Sequence, residues 1–180
     1  MFMISRKKLK WSKASKKQKI LFLGGVIVAL IIVITAVSSL FTEKEPENND
    51  LSKIYNVGDQ VFYNGMQLKV NKVTYSDGTR YNTPKNGNEY IIVNVTLTNK
   101  SELIESYNPY DFTLSDDGDI EHLNSIYLDD NIDLLHLGNL LKDESSTGDL
   151  VSQVKKDSKS LKLMFKSDLF NGKSITIKLK

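Results

Sequence analysis

The sequence predicts an all-β protein, a sandwich of antiparallel sheets, preceded by a single membrane-spanning helix. Three observations predict this. Beyond residue 59, apolar side chains recur at every second position in short runs, which is the period of a half-buried strand. Turn-forming pairs such as Asn64-Gly65 and Asp117-Gly118 separate those runs, and no long stretch carries the 3.6-residue period of an amphipathic helix. Ahead of the runs lie 22 consecutive residues, Ile20 to Phe41, without a charged side chain.

As a helix rising ~1.5 Å per residue, that run extends roughly 33 Å, enough to cross a ~30 Å hydrocarbon core. Residues 1–19 hold eight of the 24 basic groups and no acid, leaving 16 basic against 22 acidic residues beyond the run. Lys and Arg resist translocation, so the tail of residues 1–19 is expected in the cytoplasm, the helix at 20–41, and the rest outside. The acidic body excludes nucleic acid as a partner. Cleavage after a signal peptide is the alternative, because Ala36-Val37-Ser38 offers small residues at a peptidase spacing. The apolar stretch is longer than the ~7–15 residues of a signal peptide core, which favours an uncleaved anchor. Gly25 and Ala29 form a small-residue pair of the kind that lets two membrane helices approach. Residues 42–53 include Pro46, are polar and aperiodic, and read as a flexible linker.

The sandwich is expected over residues 54–180. Gln60 to Tyr63 and Met66 to Tyr75 flank Asn64-Gly65 as a hairpin. Parity changes between Val70 and Val73, which predicts a bulge or a strand passing between sheets. A long loop, Ser76 to Asn88, leads into EYIIVNVTLTN, where Ile91, Val93, Val95 and Leu97 share one face and Tyr90 and Ile92 add apolar bulk to the other. Burial on both faces predicts a central strand. Asp111 to Ser115 follows, then a turn at Asp117-Gly118 into Ile120 to Leu123. Residues 126–141 fit neither period. Gly148 to Val154 is a strand; Leu161, Leu163 and Phe165 alternate with Lys162 and Met164; Ile175, Ile177 and Leu179 close the chain after Asn171-Gly172.

Val57-Gly58-Asp59, then Gly87-Asn88-Glu89-Tyr90 entering IIVNVTLTNKSE, then Tyr110-Asp111-Phe112-Thr113-Leu114 with Asp-Asp-Gly, and finally Gly148-Asp149-Leu150 with LKLMF carry a family likeness. The body resembles the immunoglobulin-like domain of unknown function of Gram-positive surface lipoproteins and membrane-anchored proteins. That family is grouped with the mycobacterial immunoprotective extracellular protein. The resemblance implies an immunoglobulin-like sandwich and an extracytoplasmic location, and it implies no activity. The chain has no cysteine, hence no lipobox, so the helix stands in place of a lipid anchor.

The absence of cysteine also excludes disulfides, thiolate metal sites and thiol nucleophiles. His122 and His136 are the two histidines and read as structural or solvated. Ser152-Gln-Val-Lys155 matches a penicillin-recognising motif only formally, since it lies in a strand and lacks the partner motifs. No metal site is assigned. Asp116, Asp117, Asp119, Asp129, Asp130 and Asp133 offer oxygen ligands suited to Ca²⁺, but their spacing is not that of an EF-hand loop, and Asp-Gly also serves a hairpin. No cofactor is expected. Tyr81, Tyr107, Tyr110 and Tyr127 stand in loop-like positions and are the candidate partner contacts. The function expected is an anchored extracytoplasmic binding or adhesion-like module without catalytic activity, facing a protein or envelope polymer. A structural subunit of an envelope machine, such as a secretion or conjugation apparatus, is the alternative.

Overall fold

The computed structural model describes residues 15–40, 47–124, 126–165 and 174–180. The tail up to residue 14, the first residues of the expected linker and the Asn171-Gly172 turn lie outside them. The chain forms two compact units, Met1–Lys44 and Glu45–Lys180.

The first unit holds one helix, α1 (Lys16–Leu40), of 25 residues. Its described apolar side chains, from Ile20 to Ile34, are all exposed. Among the described residues no helix is long and apolar enough to cross a membrane.

The second unit is a β-sandwich. One sheet has four strands in the order β2 (Gln60–Tyr63), β3 (Met66–Ser76), β4 (Asn88–Asn99) and β9 (Ser145–Lys155), all antiparallel. The other has five, in the order β1 (Ile54–Asn56), β11 (Ile175–Lys178), β10 (Leu161–Phe165), β6 (Phe112–Asp116) and β7 (Asp119–Glu121). This second sheet is mixed rather than purely antiparallel, because β1 runs parallel to β11 with Tyr55 opposite Ile177. A ribbon of β5 (Glu105–Tyr107) and β8 (Gly138–Leu140) stands apart as a third sheet.

The alternation seen in the sequence is what closes the core. Ile91, Val93, Val95 and Leu97 of β4 meet Leu68 and Val70 of β3, Leu150 and Val154 of β9, and Leu114, Leu163 and Ile177 of the facing sheet. Each side chain of this size taken fully from water contributes about 1.5–3 kcal/mol. The two predicted turns form as tight hairpins. Asn64 and Gly65 take φ of 46° and 75°, and Asp117 and Gly118 take 50° and 101°, the left-handed pair that such turns require. The parity change in β3 is a bulge: the pairing steps from Val70 to Lys72, so Asn71 is the extra residue and the strand stays within one sheet.

β4 does lie inside its sheet, between β3 and β9. Its outer-facing Tyr90 and Ile92 are covered, with Val151 of β9, by Tyr127 and the half-buried Ile132 and Leu134. The Tyr90 and Tyr127 rings meet edge to face, with centroids 4.9 Å apart. Residues 126–141 are therefore neither helix nor regular strand for most of their length; they form a strap over the sheet that ends in β8.

The expected linker is docked from residue 48 onward. The Asn49 N–H donates to Phe62 O (2.8 Å), and Asn49 Oδ1 and Asn48 Oδ1 accept from the Phe62 and Asn64 N–H groups (2.7 and 2.8 Å). Two side-chain amides thus pair the open edge of β2, a backbone row that would otherwise invite another strand.

Candidate functional site

The turn that follows β5 and the strap frame a cavity of about 180 Å³. One wall begins at Asn108, which caps a 3-10 turn, Pro109–Asp111. The Tyr110 N–H donates to Asn108 Oδ1 (3.0 Å), and the Asn108 N–H donates to Asp111 Oδ2 (3.0 Å), a reciprocal capping box. Proline at the first position supplies a preset φ. The box holds Pro109 and Tyr110 at the rim. Burial pushes the Asp111 carboxyl above the usual aspartate range, opposed by the Asn108 N–H.

The other wall is Leu134 to Leu137. It is laced to the edge of β9: the Leu135 N–H donates to Asp149 O (3.0 Å), and the Asp149 N–H to Asp133 O (2.7 Å). Gly148 makes that approach possible. A Cβ on it would sit 2.6 Å from Leu135 Cα and 2.7 Å from its nitrogen, closer than packing allows. Leu123, Asn124, Leu150 and Val151 also line the space. The mouth carries Tyr110 (71% exposed), Leu137 (75% exposed) and the exposed His136. The lining residues include His136, two asparagines, Tyr110 and Asp149 amid leucines, with no serine, threonine or lysine. It suits an apolar group with one polar end.

The four candidate tyrosines separate into two kinds. Tyr110 and Tyr81 are exposed, and Tyr81 lies under the Arg80 guanidinium, 4.4 Å from its ring centroid. Tyr107 is half-buried and its hydroxyl donates to Ser146 Oγ (2.8 Å), and Tyr127, itself part of the strap, is buried against the sheet. The latter two are packing residues, because each ring covers apolar surface and its hydroxyl finds a partner. Tyr81 and Tyr127 share a second groove with Asp129 and Asp130. That groove joins the two long loops, where Asn82 Nδ2 donates to Leu128 O (2.9 Å).

Four of the six candidate carboxylates, those of Asp116, Asp117, Asp119 and Asp129, are engaged locally. Asp116, fully buried, accepts from the Lys155 N–H (2.8 Å) and Ser158 Oγ (2.5 Å). Asp117 Oδ1 accepts from the N–H groups of Lys159 and Ser160 (3.0 and 2.8 Å). Asp119 pairs with Lys155 at 3.0 Å, and that hydrogen bond holds the lysine above its ordinary pKa. Asp129 Oδ1 accepts from Asn131 Nδ2 (3.0 Å), and Asp133 is engaged through its carbonyl. Among the described residues no group of three or more His, Cys, Asp or Glu is placed to hold a metal ion. His122 is exposed, and its carbonyl accepts from Ser152 Oγ (2.8 Å), while His136 alone of the two lines the cavity.

Sequence reasoning passed over the capping box and the ribbon. Asn108-Pro109-Tyr110-Asp111 has the cap-to-acid spacing of such a box, and that signal was available. β5 and β8, three residues each, carry no readable period.

Two packed sheets with a small apolar cavity at one edge define a β-sandwich module, and comparison with known proteins places it. The chain belongs to the family described as "Domain of unknown function (DUF4352)", whose model matches residues 55–175. It is similar in fold to the ycdA protein of Bacillus subtilis, described as a candidate lipoprotein, at 21% identity and a TM-score of 0.59. That match covers 67% of this chain and 38% of the other, so the present chain corresponds to well under half of that protein. It is also similar to the yjhA protein of Bacillus subtilis, at 20% identity and a TM-score of 0.55, covering 71% of this chain and 100% of the other. A secreted protein of Mycobacterium tuberculosis, MPT63, matches at 16% identity over 74% of this chain and 95% of its own, with a TM-score of 0.45, too low to add to the argument. No protein of the curated set matches.

Proposed function

We propose that the protein is an anchored extracytoplasmic binding module: an immunoglobulin-like sandwich held on a single-pass helix with its N-terminus in the cytoplasm, acting by contact and not by catalysis. The observation that carries this reading is the rim of the cavity. Tyr110 and Leu137 stand exposed around an apolar recess, on backbone fixed by a capping box and a strand-edge bridge. Apolar and aromatic groups preset in this way lose little entropy on contact, as partner sites require. The lysine-rich flank before a 25-residue helix supports anchoring, and the description of ycdA as a candidate lipoprotein is in keeping with a surface location.

Protease treatment of intact cells, followed by fractionation, tests location and anchor together. Digestion of residues 45–180 with a membrane-retained remnant is expected; a protected body overturns the reading. For binding, the full chain captures a partner from envelope extracts and Tyr110→Ala weakens that capture. Capture that is indifferent to Tyr110 removes the cavity from the proposal.

A structural subunit of an envelope machine is the second reading. It is favoured by Gly25 and Ala29, a small-residue pair on α1 of the kind that lets two membrane helices approach. Replacing residues 1–41 with an unrelated anchor distinguishes the two, since only a subunit that works through its helix loses function.

A further inference from the structure

The chain enters the sandwich at one particular end. Asn49 is bonded to Phe62, and Asn48, one residue earlier, to Asn64. Traced back toward its N-terminus, the chain therefore runs out past the Asn64–Gly65 turn. The same end holds the close of β4 and the start of β9, because the Lys100 N–H donates to Gly65 O (2.7 Å) and the Asn99 N–H to Glu144 O (3.0 Å). Three large aliphatic side chains stand out from these loops: Leu103 at 72% exposed, Ile104 at 65% and Leu141 at 54%. Continued one residue beyond the Glu105–Leu140 pair, the ribbon register sets Ile104 opposite Leu141. The Lys142–Glu102 ion pair (2.6 Å) joins the same two loops.

The polar groups around these side chains are already provided for. The Leu103 N–H donates to Ser101 Oγ (3.1 Å), and its carbonyl accepts from Asn99 Nδ2 (2.6 Å). The Leu141 N–H donates to Glu144 Oε2 (2.9 Å). Backbone satisfied within the protein in this way can approach an apolar medium, where an open N–H or C=O could not. The charges are held as well: Lys100 by Asp143 (2.6 Å), Lys142 by Glu102, and Glu105 by the Ser101 hydroxyl (2.9 Å). With four acids (Glu102, Glu105, Asp143, Glu144) against two lysines, this end has no attraction for an anionic surface. What it offers is aliphatic.

Chain length selects the occupant. Six residues, 42–47, separate the apolar run from Asn48, the first residue held on the sheet edge. Fully extended, that stretch spans at most roughly 25 Å. The opposite end of the sandwich, with Tyr81 on the loop between β3 and β4, lies a further strand length away, roughly 40 Å for the twelve residues of β4 at ~3.3 Å each. We propose that Leu103, Ile104 and Leu141 dock this end of the domain on the lipid surface of the membrane that anchors the chain, their side chains entering the boundary between headgroups and acyl chains. The inference rests on the anchored reading of the protein. A short tether makes the contact intramolecular, so even a small apolar surface is populated at the effective concentration it sets. The aliphatic groups are buried there as the apolar face of an interfacial helix is, and the Tyr81 loop is left facing away from the bilayer.

The test reconstitutes the full chain in lipid vesicles and reads tryptophan quenching by brominated acyl chains. Trp11, the one tryptophan of the chain, is first replaced (Trp11→Phe), and Leu103→Trp or Tyr81→Trp then supplies a single reporter. The Leu103→Trp reporter is quenched and the Tyr81→Trp reporter is not, equally in zwitterionic and in anionic lipid. Ile104→Asp/Leu141→Asp abolishes the quenching; both positions are exposed, and near-ultraviolet circular dichroism confirms the fold. Twelve Gly/Ser residues inserted after Glu45 lower the ratio of quenched to unquenched emission about fivefold, the −3/2 power of a threefold longer tether. A Leu103→Trp reporter no more quenched than the Tyr81→Trp reporter overturns the proposal, and so does quenching that requires anionic lipid. A blue shift without quenching that grows with protein density assigns the surface to a second copy of the chain instead. Protein that fails to float with the vesicles defeats the anchored reading and this inference with it; protein that floats with neither reporter quenched defeats this inference alone.

Discussion

Asn99 ends β4 with a fully buried side chain. Its Nδ2 donates to Leu103 O (2.6 Å) and Leu140 O (2.9 Å), and its Oδ1 accepts from the Ser101 N–H (2.8 Å). One amide thereby ties the end of a central strand to both approaches of the β5–β8 ribbon. Asn99→Ala takes this partner from the Leu140 carbonyl and the Ser101 N–H, while the Leu103 carbonyl keeps the Ser101 hydroxyl (3.2 Å), and a loss of roughly 2–3 kcal/mol in chemical denaturation is expected. A loss below about 1 kcal/mol would mean that water replaces the amide. Gly148 acts through absence. Gly148→Ala forces a methyl into the backbone of Leu135, and a cost of about 1–3 kcal/mol is expected. Because the strap also walls the cavity, the same change is expected to weaken capture of any partner that needs Tyr110 and Leu137.

At the level of elements, the bulge in β3 and the capped turn make separable predictions. Val70 and Val73 both face the core, and only the extra residue reconciles them with period two. Deleting Asn71 therefore restores plain alternation without moving Val73 to solvent. The fold survives in near-ultraviolet circular dichroism, at a cost of about 1–2 kcal/mol for the lost contacts to Asn94 and Thr96. Outright unfolding would show that the bulge sets the twist of the sheet. In the 3-10 turn, the raised pKa of Asp111 means the fold favours its neutral form. Stability from this group is full below the unfolded pKa and is lost as pH rises through the folded one. Asp111→Asn keeps an acceptor for the Asn108 N–H without the charge. Its stability relative to the parent is expected to be more favourable at pH 7 than at pH 3, and the reverse order in paired denaturation curves would overturn the assignment.

Over the whole molecule, the two open edges of the four-stranded sheet are both answered. β2 is paired by Asn48 and Asn49, and β9 by the strap at Asp133 to Leu135. This is how a domain without cysteine, and with long stretches of strand, avoids sheet-to-sheet association. Replacing Asn48 and Asn49 together by Ala exposes the β2 edge. Concentration-dependent association in analytical ultracentrifugation is expected, and a variant that stays monomeric at high concentration would show that the edge is protected by its twist alone. The same docking places the expected linker on the sheet from residue 48 onward.

The strands, their inward faces and the two tight turns were legible along the chain because period two and Asn-Gly or Asp-Gly are local properties, set by the pleat and by left-handed φ. Leu161, Leu163 and Phe165 declare a buried face wherever the strand is placed. What local chemistry could not decide was partnership. Tyr55 finds Ile177 across more than a hundred residues to form the parallel pair, and β5 finds β8 with three residues each. The candidate site follows the same division. Tyr110 and His136 were visible as residues, but residues 126–141 have no period because their order comes from lying on Tyr90, Ile92 and the edge of β9. A cavity wall of this kind exists only once the sheet beneath it has formed, for its backbone hydrogen bonds and its apolar contacts both belong to distant strands.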